Sequence, residues 1–130
     1  MKLICDRAGI DSEMLLFPEN EPMPLEKIRD EVVRNGKGTF GSVAVVHCET
    51  TSGILNPISE IGKMVKEADD KLLFIVDAMS SFGGVQADYA TVDFLISSSN
   101  KCLQGVPGFA FVIANTARLV ECQGDYLKCT

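Results

Sequence analysis

The chain has 130 residues, enough for one domain with its own core, and 46% of them are hydrophobic, which excludes a disordered segment. Its net charge of −6, from 18 acidic and 12 basic side chains, argues against nucleic acid or an anionic membrane surface as the main partner. No apolar run reaches the ~20 residues that span a bilayer, and "MKLICDRAGID" carries charge too early for a secretory signal, so the chain reads as cytoplasmic.

In chain order, "MLLFPENEP" (14–22) reads as a short apolar strand running into a Pro-rich loop. "PLEKIRDEVV" reads as a helix with Pro24 in its first position, and Leu25, Ile28 and Val32 share one face. "SVAVVHCE" is nearly continuous in apolar residues, the pattern of a buried strand. Asn56 is placed to cap a helix that has Pro57 in its first turn and an apolar stripe of Ile58, Ile61, Met64 and Val65. "KLLFIVDAMS", "DFLISSS" and "GFAFVIA" read as three further buried strands, and "TARLVECQG" opens a short helix. There is no internal repeat.

Alternation of helices with continuous apolar strands predicts an α/β fold, with a mainly parallel sheet and flanking helices. "SNKCLQGVP" is too short for a crossover helix, so the last strand is expected to run antiparallel. Ligands of such sheets bind beyond the carboxyl ends of the strands. Glu49-Thr50-Thr51, Asp77 and Lys101 each fall there.

Two motifs fail their context. "GKGTFGSV" (36–43) matches G-x-G-x-x-G, but its glycines follow a helix and open a strand, the reverse of a dinucleotide fingerprint. It lacks the lysine, H-R-D and D-F-G partners of a kinase and reads as a helix-to-strand turn. Cys5, Cys48, Cys102, Cys122 and Cys129 are odd in number with no C-x-x-C pair, which points to reduced thiols and no zinc site. His47, the single histidine, excludes a multi-histidine metal site.

Three polar groups remain. Asp77 directly follows "LLFIV", where a carboxylate is costly without a cation or donors. It serves either a ligand or a local loop hydrogen bond. Lys101 lies between two apolar strands. It is either a desolvated nucleophile and proton shuttle or a loop lysine that reaches water. "CETTSG" offers hydroxyls after a strand, or is a plain polar turn. Together they suit pyridoxal phosphate, which needs a lysine for its Schiff base and an acid to keep its ring nitrogen protonated.

The blocks "VVHCETTSGILNPISEIGKMVKEADDKLLFIVDAMSSFGG" and "DFLISSSNKCLQGVPGFAFVIA" resemble the class V aminotransferases, fold-type I pyridoxal-phosphate enzymes, from about Met14 to Gly124. "VDAMSSFGG" and "SSSNKCLQGVPGFAF" are specific to the branch that handles phosphonates. The resemblance implies transfer of the amino group of 2-aminoethylphosphonate to pyruvate, giving phosphonoacetaldehyde and alanine. The implied partners are therefore a small amine and a 2-oxo acid, with a homodimer expected of an intact member and no nucleic acid or membrane. Lys101 becomes the Schiff-base lysine and Asp77 the partner of the ring nitrogen. Met79 is set against the ring, Thr50 near the ring hydroxyl or the acid, and Asn100 toward the phosphate. "GVPG" (105–108) becomes the tight turn after the lysine loop, and His47 a core histidine at a strand end.

The resemblance further implies that residues 1–130 are the central part of the large, cofactor-binding domain. The N-terminal segment with its phosphate loop and the small C-terminal domain would then be absent. An inactive fragment, an interaction module, or another class V chemistry such as alanine–glyoxylate transamination stay open as alternatives. Apolar surface along an uncompleted sheet is expected to be exposed.

Overall fold

The computed structural model describes residues 2–18, 20–34 and 37–122. Its elements are α1 (Lys2–Ala8), α2 (Leu25–Arg34), β1 (Ser42–Val46), α3 (Ile58–Ala68), β2 (Leu73–Asp77), β3 (Phe94–Ser98), β4 (Ala110–Ala114) and α4 (Thr116–Glu121). The four strands form one sheet in the order β1-β2-β3-β4. β1 pairs with β2 and β2 with β3 in parallel, and β4 returns antiparallel to β3. This is the mainly parallel α/β sheet expected, antiparallel last strand included.

The core lies where the helical and strand patterns meet. Ile58, Ile61, Met64 and Val65 are buried along α3, as their spacing requires, and Phe74 and Val76 of β2 are wholly enclosed. Full burial of such a side chain contributes roughly 1.5–3 kcal/mol. Ile28 and Val32 turn inward from α2, which packs against α3. Gly62 lets α3 approach closely, because a Cβ there would lie 2.0 Å from the Thr91 hydroxyl and 2.9 Å from the Phe74 ring.

Several local expectations are corrected. Residues 14–18 and 20–22 form no strand, since no neighbouring strand offers them hydrogen bonds. Leu16 is 78% exposed there, and only Phe17 packs on the core. Asn56 does not cap α3: its side-chain amide donates to the Val46 carbonyl at 2.9 Å, and Pro57 stands at the cap. Pro24 precedes α2, and its carbonyl accepts the first bond, from the Ile28 N–H. Ser42 and Ala44 of β1 are exposed, as is most of β4, because each strand has one neighbour in the described sheet. Helix α1 was not read from the sequence, and it buries none of its residues. The β2–β3 connection, 78–93, runs in turns without a helix. Of "GKGTFGSV", Gly36 lies outside the described residues, and Lys37–Ser42 turn from α2 into β1 as expected. The expected apolar exposure is present, with Val112 and Ile113 of β4 and Leu119 and Val120 of α4 all open.

At the foot of β3, Asp93 is 3% exposed. Its carboxylate accepts the Phe74 N–H at 2.7 Å, pairs with the Lys66 ammonium of α3, and lies 3.6 Å from Arg118 Nε of α4. Lys66 also donates to the Leu72 carbonyl at 2.7 Å. One carboxylate thus ties α3, β2, β3 and α4 together. Asp93→Ala would leave the half-buried Lys66 and Arg118 without their carboxylate and strand the buried Phe74 N–H. It is expected to cost about 3–5 kcal/mol, read as a lowered urea midpoint by circular dichroism; an unchanged midpoint would remove Asp93 from this role.

Candidate functional site

Because β1, β2 and β3 are parallel, their carboxyl ends share one edge of the sheet. Val46 pairs with Asp77, and Asp77 with Ile96. The peptide beyond each strand end supplies one part of the site: Cys48–Gly53 after β1, Ala78–Val85 after β2 and Ser99–Gly105 after β3.

The loop after β1 folds back sharply. Glu49 N–H donates to the Ile54 carbonyl at 3.0 Å and Gly53 N–H to the Glu49 carbonyl at 2.7 Å, with Gly53 at φ +74°. Thr50 is exposed at the tip of this turn.

Asp77, the last residue of β2, is half-buried. Its Oδ1 accepts the Met79 N–H at 2.9 Å, so the carboxylate and Met79 are brought together, and Oδ2 has no protein partner among the described residues. Ala78 is buried, and its carbonyl accepts from Ser81 and Phe82 N–H. Ser80 Oγ donates to the Cys48 carbonyl at 2.8 Å, tying this loop to the one after β1.

The loop after β3 carries Asn100 and Lys101, both exposed. Asn100 Oδ1 accepts the Ser98 hydroxyl at 2.9 Å, and its amide N–H groups have no bond among the described residues. Among the described residues the Lys101 ammonium makes no ion pair or hydrogen bond. Lys101 is therefore not a cation sealed between buried strands: it is exposed, β4 is an edge of the described sheet, and its loop approaches Gly83 and Gly84. A Cβ at Gly84 would lie 2.6 Å from Cys102 Sγ, and one at Gly83 2.6 Å from a Leu103 methyl. The Cys102 thiol donates to the Ser80 carbonyl at 3.3 Å. The tight turn comes earlier than "GVPG", with the Gln104 N–H on the Lys101 carbonyl at 2.8 Å and Gln104 at φ +54°.

His47 is a buried strand-end histidine, as expected. Its Nδ1 lies 2.8 Å from Ser81 Oγ, its ring stands edge-on to Tyr89, and burial pushes its pKa below the ordinary imidazole value. Ser80, Ser81 and the Gly83–Gly84 seat were not singled out from sequence. Their signal was the small-residue run directly after the acid.

Chemically, the edge presents a carboxylate with a free oxygen, an unpaired ammonium, an amide and a hydroxyl at neighbouring strand ends. That donor set suits a phosphorylated, carbonyl-bearing aromatic ring such as pyridoxal phosphate. Among the described residues no cluster of His, Cys, Asp and Glu could hold a metal ion. Among the described residues no helix is long and apolar enough to cross a membrane. Cys5, Cys48, Cys102 and Cys122 are free thiols, and Cys129 lies outside the described residues. A depression lined by Val32, Phe40, Ala68 and Leu72 contains none of the site residues.

The model of the family "Aminotransferase class-V" matches residues 6–127. The 2-aminoethylphosphonate–pyruvate transaminase of Bacteroides fragilis is 52% identical over 123 residues, which is 93% of this chain and 33% of the relative. That of Lysinibacillus sphaericus is 64% identical over 85 residues, covering 64% of this chain and 23% of the relative. The chain thus spans about a third or less of the length of these curated relatives. Among solved structures, ureidoglycine–glyoxylate aminotransferase from Bacillus subtilis superposes with a TM-score of 0.81 at 29% identity, over 92% of this chain and 30% of that one. A Thermus thermophilus aspartate aminotransferase of subgroup IV gives 0.77 at 27%, over 95% and 35%. A family match over nearly the whole sequence, on a fold shared with solved aminotransferases, settles the lineage: this chain belongs to the class-V aminotransferases.

Proposed function

We propose that the chain is the lysine- and acid-bearing part of a pyridoxal-phosphate aminotransferase that moves the amino group of 2-aminoethylphosphonate to pyruvate, giving phosphonoacetaldehyde and alanine. The observation that carries this reading is Asp77 and Lys101 on adjacent parallel strand ends, in a chain 52% identical to transaminases of that name. Relatives that use glyoxylate are more distant, at 28–29% identity. On the same reading residues 1–130 are part of the large cofactor-binding domain. The intact protein is a cytoplasmic homodimer with small-molecule amine and 2-oxo acid substrates.

The cofactor supplies an aldehyde that captures amines and a ring that stores the electron pair released at the substrate carbon. Lys101 would be the residue that holds that aldehyde. With the cofactor bound, the amine of Lys101 would serve as the general base that takes the proton from the substrate carbon and as the general acid that delivers it to the cofactor carbon. Asp77, whose Oδ1 is fixed by the Met79 N–H, would keep the ring nitrogen protonated through its open Oδ2. Met79 would lie against the ring, Thr50 would serve its hydroxyl, and the amide of Asn100 would donate toward the phosphate. The Ser98 hydroxyl orients that amide.

The decisive assay is alanine formation from 2-aminoethylphosphonate and pyruvate by the protein that contains this segment. It should exceed glycine formation from alanine and glyoxylate; the reverse order would reassign the substrate. Borohydride reduction in the presence of pyridoxal phosphate should place the label on the peptide containing Lys101. A label spread over the exposed lysines would remove Lys101 from the site. Asp77→Asn keeps the shape and deletes the charge. It is expected to lower turnover by roughly 10²–10³, the scale of one lost preorganised electrostatic contact, with an unchanged circular dichroism spectrum. Near-normal turnover would remove Asp77.

A further inference from the structure

We propose that His47 is a positioning residue for Asp77: through its hydrogen bond with Ser81 it fixes the turn whose backbone holds the Asp77 carboxylate. The inference rests on the reading of Asp77 as the acid of the cofactor site.

His47 is poorly placed to act on a substrate. It is 4% exposed, and its ring is enclosed by Ser81 and Tyr89. It is well placed to act through its neighbours. Its main chain is pinned on both sides, the N–H donating to the Asp77 carbonyl at 2.8 Å and the carbonyl accepting the Asn56 N–H at 2.8 Å. The imidazole therefore projects from a fixed base into the loop that follows Asp77.

Ser81 is the hub of that loop. Its carbonyl accepts the N–H groups of Gly84 at 3.0 Å and Val85 at 2.9 Å, and its own N–H donates to the Ala78 carbonyl at 3.2 Å. Its side chain is wholly buried, so its hydroxyl hydrogen needs an acceptor. Among the described residues the one group bonded to that hydroxyl is His47 Nδ1. The hydroxyl consequently donates, Nδ1 accepts, and the ring is neutral with its proton on Nε2. The lowering of the His47 pKa by burial agrees with this assignment.

The chain of support is short. His47 holds Ser81, the Ser81 and Phe82 N–H groups close the turn onto the Ala78 carbonyl, and the turn presents the Met79 N–H to Asp77 Oδ1. Ser80 ties the same loop to Cys48 but is not bonded to the Ala78 carbonyl, so it does not replace the Ser81 closure.

The test uses the isotopically labelled chain, in which the single histidine makes the imidazole nitrogen signals unambiguous. The wild type should show a neutral ring with Nδ1 unprotonated and a Met79 amide protected from hydrogen exchange. Ser81→Ala and His47→Phe should each speed Met79 exchange by up to about tenfold, the range of one hydrogen bond's contribution. His47→Asn, whose Oδ1 can accept the Ser81 proton, should keep the protection. Unchanged Met79 exchange in Ser81→Ala overturns the proposal. So does a protonated Nδ1 in the wild type, or a His47→Asn chain that fails like His47→Phe by losing fold or protection. Met79 exchange is read without cofactor, so failure of pyridoxal phosphate to label Lys101 would sink the functional reading and leave this result standing. Labelled Lys101 with Met79 exchange indifferent to Ser81 would sink this proposal alone.

Discussion

Asp93 puts one carboxylate where three separate elements each need a negative partner. Lys66 comes from α3, Arg118 from α4 and the Phe74 N–H from the start of β2, and all converge at the foot of β3. A buried charge is tolerable only when its partners are in place. The arrangement therefore rewards one relative placement of these elements and penalises others. The Asp93 N–H and carbonyl add bonds to the Phe74 carbonyl and the Asn115 N–H, so the same residue fixes the register of β3 on both sides. With the feet of β2 and β3 locked, their upper ends are aligned, and Asp77 and the lysine loop inherit that alignment.

The upper edge is organised differently. Charge anchors the foot, whereas small hydroxyls and a thiol hold the loops above. Ser80 reaches back to the β1 extension, Ser81 to His47, Ser97 to the Ala78 carbonyl, and Cys102 forward to Ser80. Glycines at 83 and 84 let the lysine loop settle close to the acid loop. These groups carry no net charge, so the charge at the edge comes from Glu49, Asp77 and Lys101. A site that must stabilise charge on a ligand benefits from supports that do not compete for it.

The sequence was most legible where periodicity and burial coincide. The α3 stripe, the apolar runs of β2 and β3, and the antiparallel return of β4 all followed from pattern and loop length. The site edge followed too, because parallel strands must end together. The misses share a cause: local pattern does not reveal how many neighbours a segment has. "MLLF" is apolar but has no strand beside it, and β4 reads as buried although one side is open. Asn56 looked like a cap because of Pro57, yet the Val46 carbonyl outcompeted the helix end for its amide. Asp93 was overlooked although it meets the test that singled out Asp77, a carboxylate adjoining a buried strand. Its partners lie far along the chain, and no spacing announces them.

The strands lie in space in the order in which they occur along the chain. None of the described strands has to be inserted between two that are already paired. A chain made from its N-terminus can dock each new strand on the one before it. Each step then closes a single connection and incurs only that loop's entropy. The arrangement lets native contacts accumulate in the direction of synthesis. The acid loop is positioned before the lysine that it will face has emerged.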